Sequence, residues 1–220
     1  DSITQLEEVV VKAEAPIKRI QKAAYNVVAI EAQPLKAVNS NAADILARVS
    51  GVKMRETGGV GAEAHINLNG FTGRHVCVFI DGVPMNEANA SFRINNIPAE
   101  MIERIEIYKG VVPVTFGADA LGGAINVITR KSRYNYGNLS YAFGSFNTHK
   151  STLNIGQYLT NNINIELNAY QNYSDNSYKV FTEYLDLQTA TYSKEKRWFK
   201  RFHDRYHNEA IIGHVNIFNE

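Results

Sequence analysis

The chain has 220 residues, 45% hydrophobic and 20% charged, which fits one large domain or two small ones and lies outside disordered compositions. Lysine and arginine number 23 against 22 acidic residues, so the net charge of +1 lacks the basic surplus that nucleic-acid phosphates demand, and the single Cys77 excludes a disulfide framework or multi-cysteine metal site. No apolar run approaches the ~18 residues of a spanning helix, and Asp1-Ser2 is not a signal-peptide start, so a helical membrane protein is excluded; a β-barrel is not.

In chain order, Leu6-Glu7-Glu8-Val9-Val10-Val11 reads as a short edge strand between polar flanks. Asn41 to Val49 carries helical spacing through Ala42, Ala43, Ile45, Leu46 and Val49, with Asn39 or Ser40 expected as N-cap and Gly51 at C′. Short strands are predicted over Val52-Arg55, Ala64-Asn69, Val76-Ile80, Arg104-Tyr108 and Ala124-Thr129. One helix against several short strands is a small α+β domain. Asp81-Gly82 reads as a tight turn, with no Ser or His placed to make the acid catalytic. Cys77 is expected as a buried, inert thiol. Pro98 is expected at the first position of a short helix running toward Arg104, with acids in its first turn. The glycines at 110, 117, 122 and 123 fail the phosphate-loop and dinucleotide patterns, since no Gly-Lys-Ser/Thr and no βαβ unit follows.

After Lys131 the chain turns rich in Tyr, Asn, Ser and Thr, and alternates. Leu139-Tyr141-Phe143, Leu153-Ile155, Ile163-Ile165-Leu167-Ala169 and Ile211-Val215-Ile217 each mark one face of a strand whose other face is polar. Such strands suit an antiparallel sheet with one wet face or a barrel wall between lipid and a watery lumen. Short turns near Asn147 and Asn161 against one long link from Ser174 to His207 favour the barrel. His203, His207 and Glu209 hint at a metal, but Lys200, Arg201 and Arg205 repel cations, and no site is assigned. The basic, aromatic run Lys194 to Arg201 reads as a sticky surface loop open to anionic ligands.

Taken together, Ile97-Pro98-Ala99-Glu100-Met101-Ile102-Glu103-Arg104-Ile105-Glu106-Ile107-Tyr108-Lys109-Gly110 and Phe116-Gly117-Ala118-Asp119-Ala120-Leu121-Gly122-Gly123-Ala124-Ile125-Asn126-Val127-Ile128-Thr129 resemble the plug domain of TonB-dependent outer-membrane receptors. Leu68-Asn69-Gly70-Phe71, Arg74-His75-Val76 and Phe79-Ile80-Asp81-Gly82-Val83-Pro84 match the same plug, although the family more often has Arg-Gly where this chain has Asn69-Gly70. Leu6 to Val11 is similar to the Ton box, especially of Bacteroidota-type receptors. The resemblance implies an α+β plug, a small mixed sheet with short helices, followed by antiparallel strands of a barrel of about 22 strands. Its implied layout is a Ton-box segment at 1–12, a plug at 13–131, and about four barrel strands at 132–220 with a long extracellular loop near 174–207. Spanning strands need ~9–11 residues each, so the remaining barrel is expected from C-terminal sequence absent here.

The resemblance further implies a non-enzymatic importer in the outer membrane of a Gram-negative bacterium, with the plug in the lumen and the N-terminus periplasmic. Its implied partners are a TonB-type energy-transducing protein, outer-membrane lipid around the barrel, and a scarce nutrient such as an iron chelate, haem, cobalamin or a glycan. No cofactor, catalytic residue or metal ligand is expected. A binding or signalling receptor without transport is the alternative. Leu6, Glu7, Glu8, Val9, Val10 and Val11 would bind the TonB partner, and Arg74, Glu103, Arg104 and Glu106 are candidates to dock plug to barrel. Two apical loops are expected to touch ligand: Glu56, Thr57, Gly58, Gly59 and Glu63 in the first, and Met85, Asn86, Glu87, Asn89, Phe92 and Arg93 in the second.

Overall fold

The structure, a computed structural model, describes residues 26–32, 40–85, 93–110, 112–116, 122–131, 134–160, 162–186, 190–201 and 204–217. Arg74, Thr115 and Asp186 are described by backbone alone. Leu6–Val11 lies outside the described residues, as do Asn86, Glu87, Asn89, Phe92 and His203.

The N-terminal unit is built on a mixed five-stranded sheet. Its strands are β1 (Val27–Glu31), β5 (Val76–Ile80), β6 (Val83–Pro84), β7 (Ile102–Lys109) and β8 (Gly123–Thr129), in the order β1-β7-β8-β5-β6. Only the β5–β8 pair is parallel. A second sheet of β2 (Val52–Glu56), β3 (Ala64–Leu68) and β4 (Phe71–Thr72) stands beside it. The β7 and β8 strands are central in the sheet, and one face of each is apolar while the other face of β7 carries Arg104, Glu106 and Tyr108. Ile105, Ile107, Ile125 and Val127 join the main core with Ile45, Leu46 and Leu68. On the opposite face Tyr108 and Phe79 pack on Phe116, with ring centroids 5.1 and 4.6 Å apart. Cys77 is half-buried against that second layer rather than buried.

The α1 helix (Ala42–Leu46) buries Ala42, Ala43, Ile45 and Leu46. Its N-cap is Asn41, one or two residues later than expected. Asp44 explains the shift: the Asn41 side chain accepts the Asp44 N–H at 3.0 Å, and the Asp44 carboxylate accepts the Asn41 N–H at 2.9 Å. The helix ends at Ala47, so Gly51 lies beyond the C′ position. Pro98 likewise caps a 3₁₀ turn, Ala99–Met101, instead of opening a helix. Ile102, Ile105 and Ile107 are all fully buried, and that sheet burial overrides the local helix signal.

A separate four-stranded antiparallel sheet follows, ordered β14-β11-β10-β9. Its strands are β9 (Tyr136–Gly144), β10 (Thr148–Thr160), β11 (Ile163–Ser174) and β14 (Tyr206–Ile217), 9 to 13 residues long. The predicted long loop is in fact mostly a hairpin of β12 (Lys179–Asp186) and β13 (Thr191–Lys200). Facing rows Val180/Phe199 and Phe181/Trp198 supply the cross-strand contacts that order it.

The sheet is inverted relative to a soluble one. Asn164, Glu166 and Asn168 are at most 1% exposed, while Leu139, Ile211 and Val215 are 65 to 78% exposed. Registers align Leu139, Leu153, Ala169 and Ile211 in one outward row. The polar face is turned onto the N-terminal unit, where Met101 packs against Tyr170 and Ala210. In water this arrangement exposes the wrong face; facing lipid, it is the expected one.

Candidate functional site

The first loop expected at the apex meets the described end of the second, at Arg93 and Asn95. The first, between β2 and β3, is closed by Thr57, whose N–H and Oγ1 both donate to the Glu63 carbonyl, at 3.3 and 3.4 Å. Arg93 Nη1 donates to the Gly61 carbonyl at 3.5 Å, and Asn95 Nδ2 to the Ala62 carbonyl at 2.8 Å. Glu56, Thr57, Gly58 and Glu63 are exposed, Gly59 and Arg93 half-buried. Met85 is half-buried against the main core, and its N–H donates to the Val78 carbonyl at 2.8 Å.

Val60 of the first loop and Asn96 at the described end of the second are clamped to the inverted sheet beside the hairpin. Asn176, at φ +46, accepts the Val60 N–H at 3.0 Å and donates to the Val60 and Asp204 carbonyls at 2.9 and 3.0 Å. Asn96 Nδ2 donates to the Tyr206 hydroxyl at 2.7 Å, and Asn172 Nδ2 to the Asn96 carbonyl at 3.0 Å. A side chain at Gly59 would overlap Asn176, and one at Gly61 would overlap the Tyr206 ring. These glycines therefore have a packing reason: they let the loop backbone lie flat on the sheet. Sequence reading named the loops but missed Asn96, Asn172, Asn176 and Tyr206. Their contacts to the plug join positions 76 to 116 residues apart, and no local pattern announces them.

Below this junction a cleft of 150 Å³ opens between the two sheets, lined by Asn41, Asn95, Glu100, Lys150, Thr152 and Asn172 among others. Partial burial pushes the Glu56 carboxyl up from the usual carboxylate range; Asp44 adds to the shift and Lys150 opposes it. The site therefore holds amides, carboxyls and one lysine at a wet seam, suited to hydrogen bonding and not to bond chemistry.

Among the described residues the docking candidates find their ion-pair partners within β7. Arg104 Nη1 lies 2.6 Å from Glu103 Oε1, and its Nε and Nη2 each lie 2.9 Å from Glu106 Oε1. The Tyr108 hydroxyl donates to Glu106 Oε2 at 2.9 Å. Thus Glu103, Arg104 and Glu106 do not reach the inverted sheet through these pairs; i, i+2 spacing on one strand face brings Arg104, Glu106 and Tyr108 together first. The backbone of Arg74 lies in a 3₁₀ turn, Gly73–His75. An acid that does reach the sheet is Asp81, 3.2 Å from Nε2 of His214.

Comparison with known proteins follows these lines. Residues 19–124 match the family model of the TonB-dependent Receptor Plug Domain. The vitamin B12 transporter BtuB of Vibrio vulnificus (strain CMCP6) is 38% identical over 96 residues, 44% of this chain and 16% of that protein. The chain therefore spans a small part of the length of the curated relative it matches. Among solved structures, the ferric enterobactin receptor PfeA of Pseudomonas aeruginosa aligns with TM-score 0.56 and 22% identity, over 72% of this chain and 26% of that one. The siderophore receptor PirA of Acinetobacter baumannii aligns with TM-score 0.54 and 22% identity, over 73% and 26%. These two likenesses concern the fold, and they extend past the plug into the inverted sheet. Residues 19–124 match the receptor plug, and these matches support a TonB-dependent receptor.

Proposed function

We propose that this chain is the N-terminal part of an outer-membrane importer that binds a scarce nutrient outside the cell and passes it to the periplasm, with energy supplied through a TonB-type partner. One observation carries the reading: a sheet with its apolar face outward and its polar face sealed onto a plug. A barrel wall around a filled lumen would have this arrangement, which supports the reading. In this reading residues 1–12 couple to the partner, 13–131 are the plug, and 132–220 begin the barrel, with the β12–β13 hairpin outside the cell. The plug lies in the lumen with the N-terminus periplasmic. In this reading the transport does no bond chemistry.

Ligand contact belongs at the apex, where Glu56, Thr57, Gly58 and Glu63 stay exposed beside Arg93. Cobalamin is the first compound to test, since the matched relative is a vitamin B12 transporter, and ferric siderophores are the second. Haem and glycans complete the panel.

The test is uptake of each labelled compound by a deletion strain carrying the full-length receptor or its Val9→Pro and Val10→Pro variants. Proline removes a strand donor, so pairing with the partner should fail and uptake should fall to background while surface binding persists. Undiminished uptake by both variants would remove Leu6–Val11 from the coupling role. Surface binding without any uptake by the unaltered receptor would mark a receptor that does not transport.

A further inference from the structure

The base of the β12–β13 hairpin and the plug loop share one set of side chains. The Arg201 N–H donates to the Tyr178 carbonyl at 2.9 Å, which closes the hairpin one pair below Lys179 and Lys200. The Arg201 guanidinium sits 5.4 Å over the Tyr178 ring, and its Nη1 donates to the Tyr178 hydroxyl at 3.2 Å. Tyr178 in turn lies against Gly58 and Gly59 of the plug loop, and meets the Phe146 ring edge-on at 5.9 Å. Phe146 holds φ +60 in the turn between β9 and β10. A bulky residue in that region is strained, and such strain persists where surrounding contacts hold it. Arg201 also forms an ion pair with Asp204, whose carbonyl accepts Asn176 Nδ2 at 3.0 Å. Asn176 is the residue that grips Val60 through both its N–H and its carbonyl.

Arg201 and Asp204 also line a pocket of 350 Å³, together with Val180, Tyr184 and Phe199. Glu183 and Lys200 border it, but strand alternation turns their side chains to the other face, where Glu183 stands opposite Lys196 and Lys200 opposite Lys179. The Tyr184 and Phe199 rings are tilted, with centroids 6.1 Å apart, and the Arg197 guanidinium lies 4.7 Å over Tyr184. Tilted rings that do not close on each other leave a slot for a flat group. Two guanidiniums beside that slot, Arg197 and Arg201, favour a group that carries an anionic oxygen. Each already faces a carboxylate, Glu195 at 3.5 Å and Asp204 respectively. Both pairs are open to solvent, so a ligand oxygen can replace either carboxylate at small cost.

Resting on the importer reading above, we infer that this pocket takes a flat ring bearing an anionic oxygen, and that Arg201 carries its arrival to the plug loop. The ring enters between Tyr184 and Phe199. Its oxygen draws Arg201 away from Asp204 and from the Tyr178 hydroxyl. Tyr178 then presses less firmly on Gly58 and Gly59, and Asp204 no longer steadies the Asn176 clamp on Val60. The loop loosens from the inverted sheet at Gly58, Gly59 and Val60. Contacts that do not involve Arg201 stay in place, namely Tyr206 against Gly61 and the bonds from Arg93 and Asn95 to the loop carbonyls. Arg201 is thus a positioning residue shared by ligand and plug.

The experiment mixes full-length receptor in mild detergent with benzoate, benzamide or acetate at equal concentration and follows hydrogen exchange at the Val60 amide. Benzoate should speed this exchange about tenfold, the ratio expected when one charge-assisted bond is given up. Benzamide has the ring without the charge, and acetate the charge without the ring, so neither should match it. Arg201→Gln should exchange fast from the start and ignore benzoate. Phe199→Ala should lose the benzoate response and Arg201→Lys should keep part of it, which separates a lost contact from a damaged hairpin. Equal effects of the three probes overturn the inference, as does a benzoate response that survives Arg201→Gln. Exchange that slows with benzoate, or does not change up to its solubility limit, overturns it too. Cellular uptake separates the two levels: a receptor that imports no compound of the panel fails the importer reading, whereas one that imports normally and shows no benzoate effect fails this inference alone.

Discussion

His214 of β14 brings Nε2 to 3.2 Å from the Asp81 carboxylate, in the turn that follows β5. The same carboxylate accepts the Thr129 N–H at 3.0 Å and the Thr129 hydroxyl at 2.6 Å. One largely buried acid therefore closes a plug turn and touches the inverted sheet. Asp81→Asn cannot satisfy all three donors and should cost the plug about 1–3 kcal/mol. His214→Ala should leave the turn intact but loosen the seam. Thermal unfolding of the receptor, paired with protease access to the plug, separates the two: only the Asp81 variant should lower the midpoint substantially, and both should speed cleavage. An Asp81 variant that unfolds like the parent would show that Thr129 does not depend on this acid.

Gly61 has φ +77, and a Cβ there would run into the Tyr206 ring. Gly61→Val should lift the loop off the wall at a cost of roughly 1–3 kcal/mol, through overpacking and the positive φ together. Hydrogen exchange at the Val60 amide, which Asn176 otherwise protects, reads the undocking directly. Pairing the change with Tyr206→Ala should restore part of the protection, since the clash goes and the backbone strain stays. Full protection in the single variant would mean the loop is held elsewhere.

Ile211 and Asn168 lie on opposite faces of the same wall, 71% and 0% exposed. In a bilayer the exposed one is the apolar one, so Ile211→Arg should destabilise the folded receptor by about 2–4 kcal/mol if it sits near the midplane. Asn168→Asp, facing the wet seam, should cost less. Folding yield into lipid vesicles, read by gel mobility before and after heating, ranks the pair. The reverse ranking would turn the sheet around and undo the barrel reading.

Glu56 links pH to plug stability. Burial, helped by Asp44, raises its carboxyl in the folded state. A raised acid pKa means the unfolded chain releases its proton first, so stability contributed at low pH is lost as pH climbs from the unfolded to the folded pKa. Glu56→Gln removes that loss. The variant should melt at a higher temperature than the parent near pH 7 and at the same temperature near pH 3.5. The gain should be small, because the side chain is largely exposed. A variant less stable near pH 7 would show that Lys150 dominates instead.

Much of this molecule is set by short-range pattern. The β-strands around Val76–Ile80, Arg104–Tyr108 and Ile163–Ala169 appear where alternation or apolar runs put them, because burial of one or both faces follows directly from side-chain order. The plug motifs were legible for the same reason: they are contiguous. Local signals failed where burial elsewhere competed, as at Pro98, whose helix start gives way to the strand demanded by Ile102, Ile105 and Ile107. Alternation alone also left the orientation of the C-terminal sheet open between water and lipid. Only the packing decided it, by pressing Asn164, Glu166 and Asn168 onto the plug and leaving Leu139, Ile211 and Val215 outside. The clamps of Asn176, Tyr206 and His214 lay wholly beyond the sequence. Each depends on chain segments that are remote in order and meet only in the folded chain, and a hydrogen-bonding side chain carries no mark of a partner that distant.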